Sequence, residues 1–342
     1  MNLVKQVLRR IDAFQQRVKP AAVAYGVMKK AGDDNAGLLM TNITYSAFVT
    51  VFPLLLLLVT ILGLVFSSDP SIRRSILDSA LAQFPLIGSE LGKNIHALRR
   101  SSLIGLFVGI AGLTYGSLGL AGSCMFAMQQ VWNVPGTDRP NFLKRTARSL
   151  AFLLVLGVGV GATTFLSGVG FFGLKQAAVV QVGAVVLSLL VNCALFFAAF
   201  WILTPGGIPT KALLPGALLG GIGWSILQSA GNYLVGHTLK NDSQVYGTFA
   251  VVLGLLAWLY FAARLTVYAA ELNVVLHRRL WPRSLVQPPL TRADEASLAA
   301  QAEQNRRRPE QRIDVSFDDK AAGEDPGEGE GTSEAEPVRS GA

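Results

Sequence analysis

Residues 246–281 read YGTFAVVLGLLAWLYFAARLTVYAAELNVVLHRRLW. This apolar run is long enough to cross a bilayer, for which ~20 apolar residues suffice. It carries an arginine near its middle, Arg264, and a glutamate toward its end, Glu271. At about 100° per residue, Tyr260, Arg264, Tyr268 and Glu271 fall within about 80° of one another, so they share one helix face. Ionisable groups in a span are costly and must face protein or water. That face is therefore the first candidate for function. Arg264 and Glu271 stand about 10 Å apart along the axis, too far to pair directly, with Tyr268 between them. On the other side, Asn273 falls opposite Glu271.

The rest of the chain has the same character. Of 342 residues, 51% are hydrophobic and 15% charged, with a mean hydropathy of +0.42. A soluble domain carries ~25% charged residues, so the composition indicates an integral membrane protein. Apolar runs at about 45–66, 103–131, 150–172, 177–203, 213–235 and 248–276 are read as six transmembrane helices. The fold class is all-α, a polytopic membrane helix bundle. Three regions follow: 1–40, 41–285 with the six spans, and 286–342.

Region 1–40 repeats Leu3, Val4, Val7, Leu8, Ile11, Phe14 and Val18 at helical spacing, flanked by Lys5, Arg9, Arg10 and Arg17. This predicts an amphipathic helix lying on an anionic lipid surface, ended or bent by Pro20. Pro53 kinks or hinges the first span. The loop at 67–102 holds apolar residues at helical spacing, as in short surface helices. Residues 286–342 are polar, rich in Pro at the start and acidic at the end, and are read as a disordered tail.

Small residues step along the spans. Gly112 and Gly116, Gly157 and Gly161, and Gly216 and Gly220 are each four apart, as at close helix contacts. Asn192 is read as an interhelical hydrogen-bonding group. Gln228 and Asn232, also four apart, form a polar stripe on the fifth span and join the candidate translocation face. Lys and Arg beside the spans concentrate on the side of the termini, which predicts both termini on the cytoplasmic side.

Several chemistries lack their residues. There is no GxxxxGK[ST] motif for ATP. The three histidines, His96, His237 and His277, are scattered; no metal-ligand spacing occurs and no cofactor site is indicated. No GxSxG is present. Cys124 and Cys193 lie in apolar runs as small packing residues. The net charge of +8 is explained by loop charges beside spans rather than by a nucleic-acid footprint. No catalytic residue is assigned, and the chain is not read as an enzyme.

TYSAFVTVFPLLLLL at 44–58, PGALLGGIGW at 215–224, VYGTFAVVLGLLAWLY at 245–260 and YAAELN at 268–273 together resemble the YihY/virulence factor BrkB family. The likeness covers about residues 25–280. It departs at TPGGIP (204–209), where the family has a plainer proline turn, and in the acidic tail. The resemblance implies a six-span bacterial inner-membrane protein. Some members carry a ribonuclease BN label, against which the missing histidine set argues. Links of some members to lipid-precursor export imply lipid transport. The favoured expectation is an ATP-independent transporter or flippase of a lipid or amphipathic solute. The alternative is a membrane scaffold. Membrane lipids are the expected partners; a homo-oligomer and a protein bound by the tail stay open.

Overall fold

A computed structural model describes residues 3–65, 103–169, 178–237, 239–287 and 289–317. The expected surface helices at 67–102 lie outside these residues. Among the described residues all regular structure is helical. The long helices are α3 (Ala36–Val65), α4 (Leu103–Val131), α5 (Phe142–Val169), α6 (Ala178–Leu203), α7 (Leu214–His237) and α8 (Leu239–Arg278). They are preceded by α1 (Leu3–Arg17) and α2 (Lys19–Asp33) and followed by α9 (Arg292–Gln304). By length and composition, the segments Val182–Leu203, Thr210–Gly231 and Val252–Arg278 can each cross a membrane. The described residues thus establish three spans; the count of six stays an expectation of the sequence.

Helix α8 lies at the centre. It packs against α2, α3, α4 and α7, while α3 runs along α4 and α6 along α7. The reason is its stripe Ala263, Val267, Ala270 and Val274, all buried, at i, i+4, i+7 and i+11. The same core holds Met128 and Val131 of α4, Trp132 just past its end, Met40 of α3 and Phe200 of α6. Outward, the bundle stays apolar: Phe107, Leu154, Val185, Trp201 and Ile226 are exposed. An apolar outer surface of this extent suits lipid rather than water.

Local endings follow side-chain chemistry. Asn133 and Arg279 take φ of 48° and 55° just past α4 and α8. After α4, Val134 N–H reaches back to Gln129 O at 2.9 Å, closing the helix end. TPGGIP makes the expected turn, with Gly207 at φ 94°.

Three boundaries differ from the sequence reading. Helix α3 begins at Ala36, so the first long helix starts well before residue 45 and runs across the 40/41 boundary. Pro20 sits in the first turn of α2, where its missing N–H costs nothing. It opens a second helix as well as ending the first. The expectation of a disordered tail from residue 286 fails for 292–304, which form α9. Thr291 and Asp294 close a capping box at its start, and Asp294 and Ser297 are fully buried. The composition argument missed it because polar contacts, not apolar area, hold this helix. The motif T-x-x-D at 291–294 was the available signal. Residues 318–342 lie outside the described ones.

Glycines at helix contacts are not equivalent. A Cβ on Gly112 would meet the Pro53 ring at 3.1 Å, and one on Gly116 would meet Thr50 at 3.1 Å. A Cβ on Gly216 would overlap the Ala269 carbonyl and, at 2.5 Å, the Asn273 amide. One on Gly220 would strike the Phe196 ring. Gly157 faces open space, and Gly161 lies outside the described side chains. We expect Gly216→Ala to lower stability by about 1–3 kcal/mol, as for other overpacked sites, and Gly157→Ala to change it little. Thermal unfolding of the purified variants in one detergent measures the difference.

Candidate functional site

One end of the bundle is held by buried charge. Arg283, just past α8, donates Nε to Asp294 Oδ1 at 2.5 Å and Nη2 to Asp33 Oδ2 at 2.6 Å. Lys29 Nζ reaches Asp294 at 2.9 Å and the Ser284 carbonyl at 2.7 Å. The second Asp294 oxygen accepts from Ser284 N–H at 3.0 Å and Thr291 Oγ1 at 2.7 Å. Burial alone would push the Asp294 carboxyl up. The Lys29 ammonium, the Ser284 N–H, the Arg283 guanidinium and the Thr291 hydroxyl outweigh it and hold Asp294 below the usual carboxylate range. Helix α1 joins from outside: Gln15 Nε2 donates to Arg283 O at 2.7 Å, and Asp12 accepts from Leu285 N–H at 3.0 Å.

Beside this clamp lies a second cluster. Lys30 of α2 has no exposed surface; its ammonium contacts Asp34, donates to Val131 O at 3.1 Å and stands 3.7 Å from Glu271 Oε2. Asp34 Oδ1 also accepts from Asn133 Nδ2 at 3.3 Å and Gln301 Nε2 at 3.2 Å. A polar cavity of about 300 Å³ adjoins, lined by Asp33, Asp34, Asn35, Gln130, Arg139 and Gln304 among others. Arg278 Nη2 donates to Trp132 O at 2.7 Å. Two residues on, Asn273 points the opposite way from Glu271: its Oδ1 accepts from Gly216 N–H at 2.6 Å, satisfying an unpaired donor in the first turn of α7.

The middle of the bundle holds a second cavity, also about 300 Å³, but apolar. Leu120, Phe152, Phe196, Phe200 and Trp224 form much of its wall, with Ala263 and Thr266 from α8. Asn192 also lines it and donates to Ser225 Oγ at 3.1 Å. That is the interhelical bond expected of it. Among the described residues no group of three His, Cys, Asp or Glu could hold a metal.

The sequence-predicted face divides in this structure. Tyr260 and Tyr268 are half-buried against the core. Arg264 is exposed, with its guanidinium 5.5 Å from the centre of the Tyr268 ring. It lies on the outer stripe of α8 with Leu253 and Phe261. Glu271 turns inward to Lys30 and Asp34, so Arg264 and Glu271 belong to different environments. Gln228 is half-buried on α7, and the Asn232 side chain lies outside those described. Sequence reasoning did not find Lys30, Asp33, Asp34, Arg283 or Asp294. The contacts that bring the two groups together, Lys29 to Asp294, Asp33 to Arg283 and Lys30 to Glu271, each span more than 200 residues, with one signal, the unusual Lys-Lys and Asp-Asp pairs at 29–30 and 33–34.

Because Asp294 is held low when folded, the stability it contributes is present above the ordinary carboxylate value of about 4 and is lost only as the pH falls through its lower folded value. We expect amides of 283–304 to stay protected from hydrogen exchange at pH near 4 and to open at more acidic pH. Asp294→Ala should open them at neutral pH, at a cost of about 3 kcal/mol, the low end for breaking a buried pair, since Asp33 still faces Arg283. Exchange followed by mass spectrometry reads both.

The model of the virulence factor BrkB family matches residues 27–293. The chain is 27% identical over 250 residues to the inner membrane protein YhjD of Escherichia coli (strain K12), covering 67% of this chain and 73% of that one. It is 24% identical over 250 residues to an uncharacterized protein of Dickeya dadantii (strain 3937), covering 67% and 75%. A shorter match, 30% identical over 84 residues, covers 24% of this chain and 30% of a Bacillus subtilis (strain 168) protein named ribonuclease-like, YfkH. No solved structure matches the chain. The matched region runs from α2 to the start of α9 and so contains Lys29, Lys30, Asp33, Asp34, Glu271 and Arg283, while Asp294 lies one residue beyond it. This chain belongs to the virulence factor BrkB family and is a membrane protein.

Proposed function

Starting from membership of the virulence factor BrkB family, we propose that the chain is an ATP-independent carrier of a lipid or other amphipathic solute. The observation that supports this reading is the apolar cavity among the long helices. Its volume of about 300 Å³ is at the lower end of the ~300–1,000 Å³ typical of small-molecule sites. Its walls are aromatic and aliphatic, suited to part of an acyl chain, and the outside of the bundle is apolar as well. At one end stand the polar cavity and the charged clusters, where a headgroup finds donors and acceptors. The relative YhjD is named for the inner membrane, and we place this chain there too, with both termini in the cytoplasm.

Ala199 lines the apolar cavity. Filling it with Ala199→Phe should slow movement of a fluorescent phospholipid across reconstituted vesicles about tenfold, with unchanged protein incorporation. Parent protein that moves no lipid of any tested headgroup would instead favour the scaffold role.

A further inference from the structure

Two carboxyl groups and one ammonium group meet where α2 ends against α8. The side chains of Lys30, Asp34 and Glu271 are 0%, 1% and 0% exposed. One cation cannot neutralise two carboxylates, and an unpaired carboxylate away from water is prohibitively costly. Donors are divided unevenly between the two acids. Asp34 has Lys30, Asn133 and Gln301. Glu271 has none: neither of its oxygens meets a hydrogen-bond donor, and Lys30 is 3.7 Å away. Its carboxyl and that of Asp34 meet at the same ammonium, Lys30. Two buried carboxyls at one ammonium are unfavourable when both are ionised, and a proton on one of them relieves the repulsion.

No further cation donates to the Glu271 oxygens. Asp33 adds a negative charge nearby but is taken by Arg283. Arg278 interacts with Asp34 through space but donates its guanidinium to the Trp132 carbonyl, and Arg139 lines the polar cavity with its guanidinium over the Phe126 ring. His277 packs edge-on against the Trp132 ring. Helices α3, α4 and α7, which also pack on α8, contain no Asp, Glu, Lys or Arg.

We propose that Asp34 and Glu271 share a single proton and form a proton-binding site reached through the polar cavity. The Glu271 carboxylic acid donates its O–H to the Asp34 carboxylate, which Lys30 balances. Asp34 lines the polar cavity, so the proton leaves through Asp34 to water there. Its loss leaves two carboxylates against one ammonium. Their repulsion weakens the contact between α2 and α8. Glu271 also stands on the same helix as Ala263 and Thr266, which line the apolar cavity. If the carrier reading above holds, on which this last step rests, the proton is the ion whose movement accompanies the solute.

The full-length protein in lipid nanodiscs tests the site by infrared spectroscopy. The parent should show the carbonyl stretch of a protonated, buried carboxyl at neutral pH. Glu271→Gln should lose that band while keeping the parent's thermal transition, because the amide mimics the neutral acid. Asp34→Asn should lose it too, since Glu271 then becomes the carboxylate that pairs with Lys30. A parent without the band, or a band that survives either substitution, overturns the shared proton. Coupling is read separately in vesicles of neutral and anionic phospholipid carrying a fluorescent phosphatidylethanolamine. An imposed pH gradient should change the parent's transport rate about tenfold and leave Glu271→Gln insensitive. Transport that ignores the gradient overturns coupling alone. The band pattern without any lipid movement keeps the proton site and overturns the carrier reading.

Discussion

Glu271 has no exposed surface, and a carboxyl so placed must find compensation inside the protein. That requirement ties α2 to α8 through Lys30 and Asp34. Two residues along, Asn273 accepts the Gly216 N–H and ties α7 to the other side of α8. Four consecutive residues, Ala270-Glu271-Leu272-Asn273, thus hold neighbours on both flanks of the central helix. The absence of a side chain at Gly216 is part of the same contact, since α7 could not otherwise approach the Ala269 carbonyl.

Polar contacts also hold the termini to the bundle. Asp294 joins Arg283, Lys29, Ser284 and Thr291, so the segment after α8 folds back over the end of α2. Helix α1 is inverted relative to a helix in a soluble protein. Asp12 and Gln15 face the protein, whereas Val7, Ile11 and Phe14 are 53%, 50% and 65% exposed. A helix with its polar side inward and its apolar side outward suits the boundary of a lipid bilayer.

The interior is therefore layered along the axis. Ion pairs, amides and a polar cavity occupy the end where the termini meet. Leucine, phenylalanine and tryptophan side chains surround an apolar cavity in the middle. Helix α8 carries Glu271 beside the charged end and lines the apolar cavity with Ala263 and Thr266.

Helical class, the order of the long helices and the membrane character were legible in the sequence, because apolar runs of ~20 residues and their small-residue spacing are local properties. So was the bond made by Asn192, whose surroundings in an apolar run leave it few partners. The capping-box pattern at 291–294 stands in the sequence, but the reading of the tail rested on composition alone. The partners of the ionisable groups were not legible. Helical periodicity placed Arg264 and Glu271 on one face but said nothing of what lies against each turn. Only the tertiary structure turned Arg264 outward beside Phe261 and placed Glu271 against Lys30 and Asp34, which are separated from it by more than 200 residues. Charge compensation in an apolar interior acts through space over a few ångströms, and sequence distance carries no information about it.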